Sequence, residues 1–244
     1  MPLSTFAVGG AEAPELRQQY VVLLHGLSLS PWAMKCIEGR LKKNGYKVIN
    51  AKYPSRKKSI EELADDVFTG KLAGILNQPD KEIHFVTHSM GGILLRSYCS
   101  RQSIDNIGRV VMIAPPNQGS QIADRLRDKR WFQKLMGPGA CELGAGRGGI
   151  PGTLGPAPFS VGVIAGTLSL NPVFFRWLPG RNDGRVSLEA TRLDNMKDFT
   201  TFHCNHTFLL WKPAVWDEIV QFLQHGRFKN SMLDSVPADS ECKS

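Results

Sequence analysis

Ser89 is the residue whose setting most clearly suggests chemistry. It stands in Phe85-Val86-Thr87-His88-Ser89-Met90-Gly91-Gly92, where a β-branched, apolar run gives way at once to small residues. Such a run must turn sharply from strand to helix with the serine hydroxyl at the apex. Gly91 lets the helix start close to the strand, and the helix N-terminus favours negative charge near Ser89. The spacing G-x-S-x-G is met with Thr87 in the first glycine's place, so a β-carbon must be fitted between strand and helix. The plainer reading is a capping serine at an ordinary turn. A free hydroxyl is a weak nucleophile and needs a base within reach. His206 follows a predicted strand, on a loop. Its rival His203, three residues earlier, is expected inside that strand as a packed histidine. Among the acids that could orient the base, Asp183 lies in the turn Asn182-Asp183-Gly184, while Asp194 and Asp198 precede and open the sixth strand. A metal reading of His203, Cys204 and His206 lacks a second Cys/His pair, so no metal is expected.

These groups need elements to carry them. Apolar runs predict strands over Tyr20–Leu24, Tyr46–Ala51, Ile83–Thr87, Arg109–Ala114, Ser160–Ala165 and Phe199–Cys204. Ser30-Pro31 opens a helix to about Lys43. Ser59, with Glu62 three residues on, caps another that runs to Leu72. A third follows Ser89 through Cys99, and an amphipathic one spans about Ala214–Gln224. Alternating strands and helices, with strands that are continuously apolar, predict a mostly parallel sheet covered on both faces. The chain reads as a single domain over 1–244, with its core at about 20–225. An insertion at about 118–158 has a charged amphipathic part and then a stretch, 137–158, in which 12 of 22 residues are Gly or Pro. So long an irregular segment is expected to be a lid or binding loop. The tail, about 227–244, is polar and expected to be loose.

Composition narrows the class. The 244 residues are 42% hydrophobic and 21% charged, which excludes wholesale disorder, and no apolar run approaches a membrane span. The net charge is +8. From Arg40 to Lys58 there are eight basic residues and no acidic one, read either as a patch for an anionic partner such as a membrane surface or as a solvated helix face and loop. No zinc-finger spacing, RNA motif or basic zipper is present, so nucleic acid is not an expected partner. Five scattered cysteines suit reduced thiols, and the N-terminus lacks the form of a secretory leader, so the expected location is cytoplasmic. The oligomeric state is left open.

Several segments together resemble the α/β-hydrolase fold family, in its lipase/esterase-like serine hydrolases, over roughly residues 20–225. Besides the turn at Ser89 they are Leu23-Leu24-His25-Gly26-Leu27, Ala114-Pro115-Pro116-Asn117-Gln118-Gly119-Ser120, Asn182-Asp183-Gly184-Arg185-Val186-Ser187 and Asn205-His206-Thr207-Phe208-Leu209. The resemblance implies an α/β fold and a triad in the order Ser89, Asp183, His206. It also implies an oxyanion hole from the backbone N–H groups of Leu27 and Met90. The expected activity is hydrolysis of carboxylic esters through an acyl-serine, with no cofactor. An acyltransferase or thioesterase would use the same triad, and a non-catalytic protein could share the scaffold. Trp131 and Phe132 in the insertion, with Phe174 and Phe175 before the acid loop, are candidates to hold an acyl or lipid-like substrate; packing under a loop is the alternative. His25 is expected to shape its loop, and His84, His88 and His225 to be structural or surface residues.

Overall fold

The computed structural model describes residues 18–170, 176–178 and 180–233. Its strands are β1 (Gln18–Leu24), β2 (Lys47–Ala51), β3 (Lys81–His88), β4 (Ile107–Ile113), β5 (Ser160–Gly166) and β6 (Asp198–Phe202). They form one sheet in the order β2-β1-β3-β4-β5-β6, and every pair is parallel. The continuously apolar strands follow from burial on both sides. Val22 and Leu24 point into one cluster with Phe85, Val110 and Phe68; Val21 and Leu23 point into another with Val86, Val111 and Phe222.

Helices cover the two faces. Pro31–Met34 forms a 3-10 turn that leads into α1 (Lys35–Lys43). The capping box of α2 (Ile60–Asp65) is complete, with Ser59 accepting from Glu62 N and the Glu62 carboxylate accepting from Ser59 N. Instead of continuing straight to Leu72, the helix widens into a π turn over Asp66–Lys71. Thr69 and Gly70 are poor helix formers, and the Thr69 hydroxyl donates back to Asp65 O. α3 (Met90–Cys99) follows the turn at Ser89 and packs on one face, and α7 (Pro213–His225) packs with α1 on the other.

The insertion carries α4 (Gln121–Leu126), α5 (Arg130–Met136) and the single turn α6 (Pro138–Cys141). It is tied to the rest of the fold by Gly139 N, which donates to Lys58 O, and by the Glu142 carboxylate, which accepts from Ile60 N; within it, Ser120 N donates to Leu143 O. Gly137, at φ +82, passes so close to Arg56 O that any side chain would collide with it. Arg96 of α3, buried and held down to a pKa of about 10 by desolvation, donates to the carbonyls of Asn117, Pro151 and Gly155. It thereby joins α3 to the Gly/Pro-rich stretch.

Two expectations change. Past Gly226 the chain is not loose as far as it is described: Phe228 is buried, Phe228 N donates to Asp198, and Lys229 N and Asn230 N donate to Glu218. A buried aromatic and two buried carboxylates hold a segment whose polarity suggested freedom. The basic stretch is also not one patch. α1 descends and β2 rises, so Lys42, Lys43 and Lys47 lie at the opposite end of the sheet from Lys52, Arg56, Lys57 and Lys58. Arg40, Lys42 and Lys58 are further paired with Asp217, Glu38 and Asp66. No helix among the described residues is long and apolar enough to cross a membrane.

Candidate active site

From β1 the chain goes to β2 on one side and then crosses to β3 on the other. The connections diverge at the C-terminal ends of β1 and β3, leaving the crevice where ligands of parallel sheets bind. Ser89 lies at the end of β3, between strand and α3, with φ 51 and ψ −121. A non-glycine residue there is strained, and the surroundings must hold it. Ser89 N donates to Ile113 O, and Gly92 N to Ser89 O. Gly91 is demanded by closeness, because a β-carbon on it would stand 2.4 Å from Leu24 O.

The candidate acid, Asp183, and the candidate base, His206, come from two loops beyond the sheet edge. Asn182 accepts from Gly184 N, which shapes the turn around Asp183. The Asp183 carboxylate is buried, and Oδ1 accepts the backbone N–H of Arg185 at 2.9 Å and of Val186 at 2.8 Å. Oδ2 lies 2.7 Å from His206 Nδ1. A carboxylate accepts, so Nδ1 carries the proton and the lone pair is at Nε2. His206 N also donates to Asp183 O at 3.1 Å.

Ser89 and His206 line one cavity of about 520 Å³. Its wall is largely apolar, with Leu27, Leu126, Trp131, Phe132, Leu135 and Met136 among its residues. Of the substrate candidates, Phe132 is buried against Leu126 and Ala140, while Trp131 is 57% exposed at the mouth. Phe174 and Phe175 lie outside the described residues. Leu27 follows Gly26 on a tight turn and lines the cavity; Met90 is the first residue of α3, where a backbone N–H has no partner within the helix.

The rivals fall elsewhere. His203 is exposed and past the end of β6, not packed within it. Asp198 is buried, but its oxygens accept from Phe199 N, Phe228 N and Ser231 Oγ, which makes it an anchor of the C-terminal segment. Asp194 is exposed.

The sequence reading gave three residues near the site no part in it. Tyr53, just past β2, donates its hydroxyl to His25 O and stacks on the His25 ring at 4.0 Å, supporting the turn that holds Leu27. Arg185 lines the cavity two residues from Asp183. His88 is buried against His206. Burial, with the neighbouring imidazole of His206 next, pushes its pKa well below the ordinary histidine value, so its ring is neutral.

The model of the alpha/beta hydrolase family matches residues 21–235. The chain belongs to the α/β-hydrolase family. No curated protein matches the sequence. Among solved structures, a mature Bacillus licheniformis lipase is similar with a TM-score of 0.64 and 20% identity, over 82% of this chain and 90% of that one. Aspergillus fumigatus lipase B gives 0.62 and 13%, over 91% of this chain and 56% of the other. A metagenomic carboxyl esterase gives 0.56 and 16%, over 80% and 65%. At these identities the likeness is one of fold.

Proposed function

We propose that this α/β-hydrolase cleaves carboxylic esters of acyl or lipid-like compounds through an acyl-serine intermediate. The observation that carries this reading is the 2.7 Å contact between Asp183 Oδ2 and His206 Nδ1, with His206 and Ser89 on the wall of one apolar cavity. Ser89 Oγ attacks the ester carbonyl while His206 Nε2 takes its proton. Asp183 holds the tautomer and stabilises the imidazolium. The N–H groups of Leu27 and Met90 receive the developing oxyanion, each contributing about 3 kcal/mol in comparable sites. Collapse expels the alcohol, which takes the proton from His206. Water, deprotonated by the same nitrogen, then attacks the acyl-serine and releases the acid with Ser89 restored.

The cavity wall supports an apolar acyl group, with Trp131 and Phe132 in contact with it and the segment 118–158 as its cover. The rim supports contact with anionic lipid. Trp131 and Leu135 line the cavity, and Leu170 and Phe208 line a shallow depression that shares Arg185, His206 and Thr207 with it; all four are exposed. Trp32, 72% exposed, packs on Trp211, which packs on Phe208. Among the described residues no carboxylate lines the main cavity, whereas Arg56 and Arg185 do. Exposed apolar side chains gathered beside cations favour an anionic aggregate, and this rim, which takes only Arg56 from the 40–58 stretch, is the contact face in place of the stretch as a whole.

The test is covalent. A fluorophosphonate should label Ser89 in the wild-type protein and leave Ser89→Ala unlabelled. Turnover of a p-nitrophenyl ester should fall by roughly a millionfold in that variant. A folded Ser89→Ala protein with near-wild-type turnover overturns the reading. A parallel panel of esters and thioesters, with alcohol acceptors added, decides between hydrolase, thioesterase and acyltransferase.

A further inference from the structure

We propose that His88 is a positioning residue for the base, fixing the His206 backbone through a hydrogen bond to its carbonyl. This rests on the reading of Ser89 and His206 as nucleophile and base. A single imidazole touches all three segments that build the site. It is bonded directly to Ser89. Its Nε2 lies 3.1 Å from His206 O, and a carbonyl only accepts, so Nε2 carries the proton. Its ring lies 4.8 Å from that of His206, tilted by 54°. Its Nδ1 faces the turn before Leu27, where a β-carbon on Gly26 would come within 2.7 Å.

The two ends of the His206 residue are thus held from different loops. Its N–H is held by Asp183 O, and its C=O by His88. The first bond ties base to acid. The second ties base to nucleophile, because His88 and Ser89 share the strained end of β3. Drift of the base loop away from Ser89 must break the second bond, even where Asp183 travels with His206.

The arrangement is costly for a residue with packing as its sole task. His88 is 1% exposed and its Nδ1 has no hydrogen-bond partner among the described residues. Leaving a buried acceptor unmet costs about 1–3 kcal/mol, and an apolar ring would avoid that cost. Burial keeps the ring neutral, so the donor at Nε2 and its acceptor stay matched as pH varies around neutrality.

Two substitutions separate the hydrogen bond from the packing. His88→Gln keeps an N–H donor of similar reach. His88→Phe keeps a flat aromatic ring, somewhat larger than imidazole, and has no donor. The expected result is a kcat for p-nitrophenyl butyrate that falls by roughly tenfold or more in His88→Phe, while His88→Gln stays within about threefold of wild type and KM is little changed in both. Thermal midpoints and circular dichroism establish that both variants are folded; His88→Ala is avoided as the primary variant because its void threatens the fold. If His88→Phe turns over as fast as His88→Gln, or both lose activity equally, the proposal is overturned. Fluorophosphonate labelling of the wild type keeps the two readings apart. No reaction at Ser89 sinks the hydrolase assignment itself, whereas labelling at Ser89 with an unimpaired His88→Phe variant sinks only the role of His88.

Discussion

Replacing Asp183 by asparagine changes one atom and should nearly abolish turnover, for a reason visible in the hydrogen bonds. Oδ1 accepts two backbone N–H groups, from Arg185 and Val186, and Oδ2 accepts His206 Nδ1–H. In Asp183→Asn one of these positions must become NH2. Placing it at Oδ1 would set donor against two donors and forfeit two bonds to a charged acceptor, a loss of about 3–6 kcal/mol. The amide therefore keeps its oxygen towards the loop and turns its NH2 towards His206. His206 must then present a lone pair at Nδ1 and carry its proton at Nε2, the tautomer that cannot accept from Ser89. The expected loss in kcat is roughly ten-thousandfold, about 5.5 kcal/mol of transition-state stabilisation. The loop loses none of its backbone bonds, so the thermal midpoint should move little. Steady-state hydrolysis of p-nitrophenyl butyrate and a thermal melt measure both. Asp198→Asn is the control, since Asp198 anchors Phe228 N and Ser231 and should lose stability with kcat retained. A folded Asp183→Asn enzyme within tenfold of wild type, or activity lost in Asp198→Asn instead, would refute the assignment of the acid.

Four further outcomes are expected. His203→Ala should change stability by less than about 0.5 kcal/mol and leave kcat alone, because the side chain is exposed beyond β6, whereas His206→Ala should lose turnover severely; kinetics and melts of the two variants check this. Gly91→Ala should destabilise the protein by about 1–3 kcal/mol in urea titration, since its β-carbon would meet Leu24 O and His25 O, backbone atoms that cannot rotate away. Hydrogen bonds from Lys42, Asn50 and Lys35 outweigh desolvation at Glu38 and lower its pKa from 4.5 to about 2, so its contribution to stability is complete above the unfolded value and is lost as pH falls towards 2; the stability difference between wild type and Glu38→Gln should shrink through that window. Trp131→Ala with Phe132→Ala should reduce kcat/KM for long-chain p-nitrophenyl esters far more than for the acetate, and an equal loss at every chain length would remove these residues from acyl recognition.

The strands were legible because burial on two sides leaves few alternatives to continuous Val, Ile, Leu and Phe. The cap at Ser59 was legible for a different reason, since both partners of its box lie within one turn. What escaped the sequence depends on partners far along the chain. His88 gains meaning from His206, 118 residues on, and Arg96 from carbonyls 21 to 59 residues away. His203 was misplaced because hydropathy does not mark where a strand bends. The turn at Cys204 is set by β5, with Leu168 N donating to Cys204 O and a bare Gly166 leaving room for that carbonyl.

The imperfect motif at Ser89 has the same kind of explanation. Thr87 replaces the first glycine of G-x-S-x-G, and a second glycine follows Gly91 at position 92. Thr87 is fully buried, and a β-carbon on Gly92 would stand 3.1 Å from Thr87 Oγ1 and 3.4 Å from Met112 Sδ. The helix therefore gives up a side chain at Gly92 where the strand has gained one at Thr87. Gly91 keeps its separate duty of letting α3 approach the backbone of β1. The strand–helix distance that the usual pattern maintains with its first glycine is maintained here from the helix side, so the departure at Thr87 and the doubled glycine are one packing solution rather than a defect and an ornament.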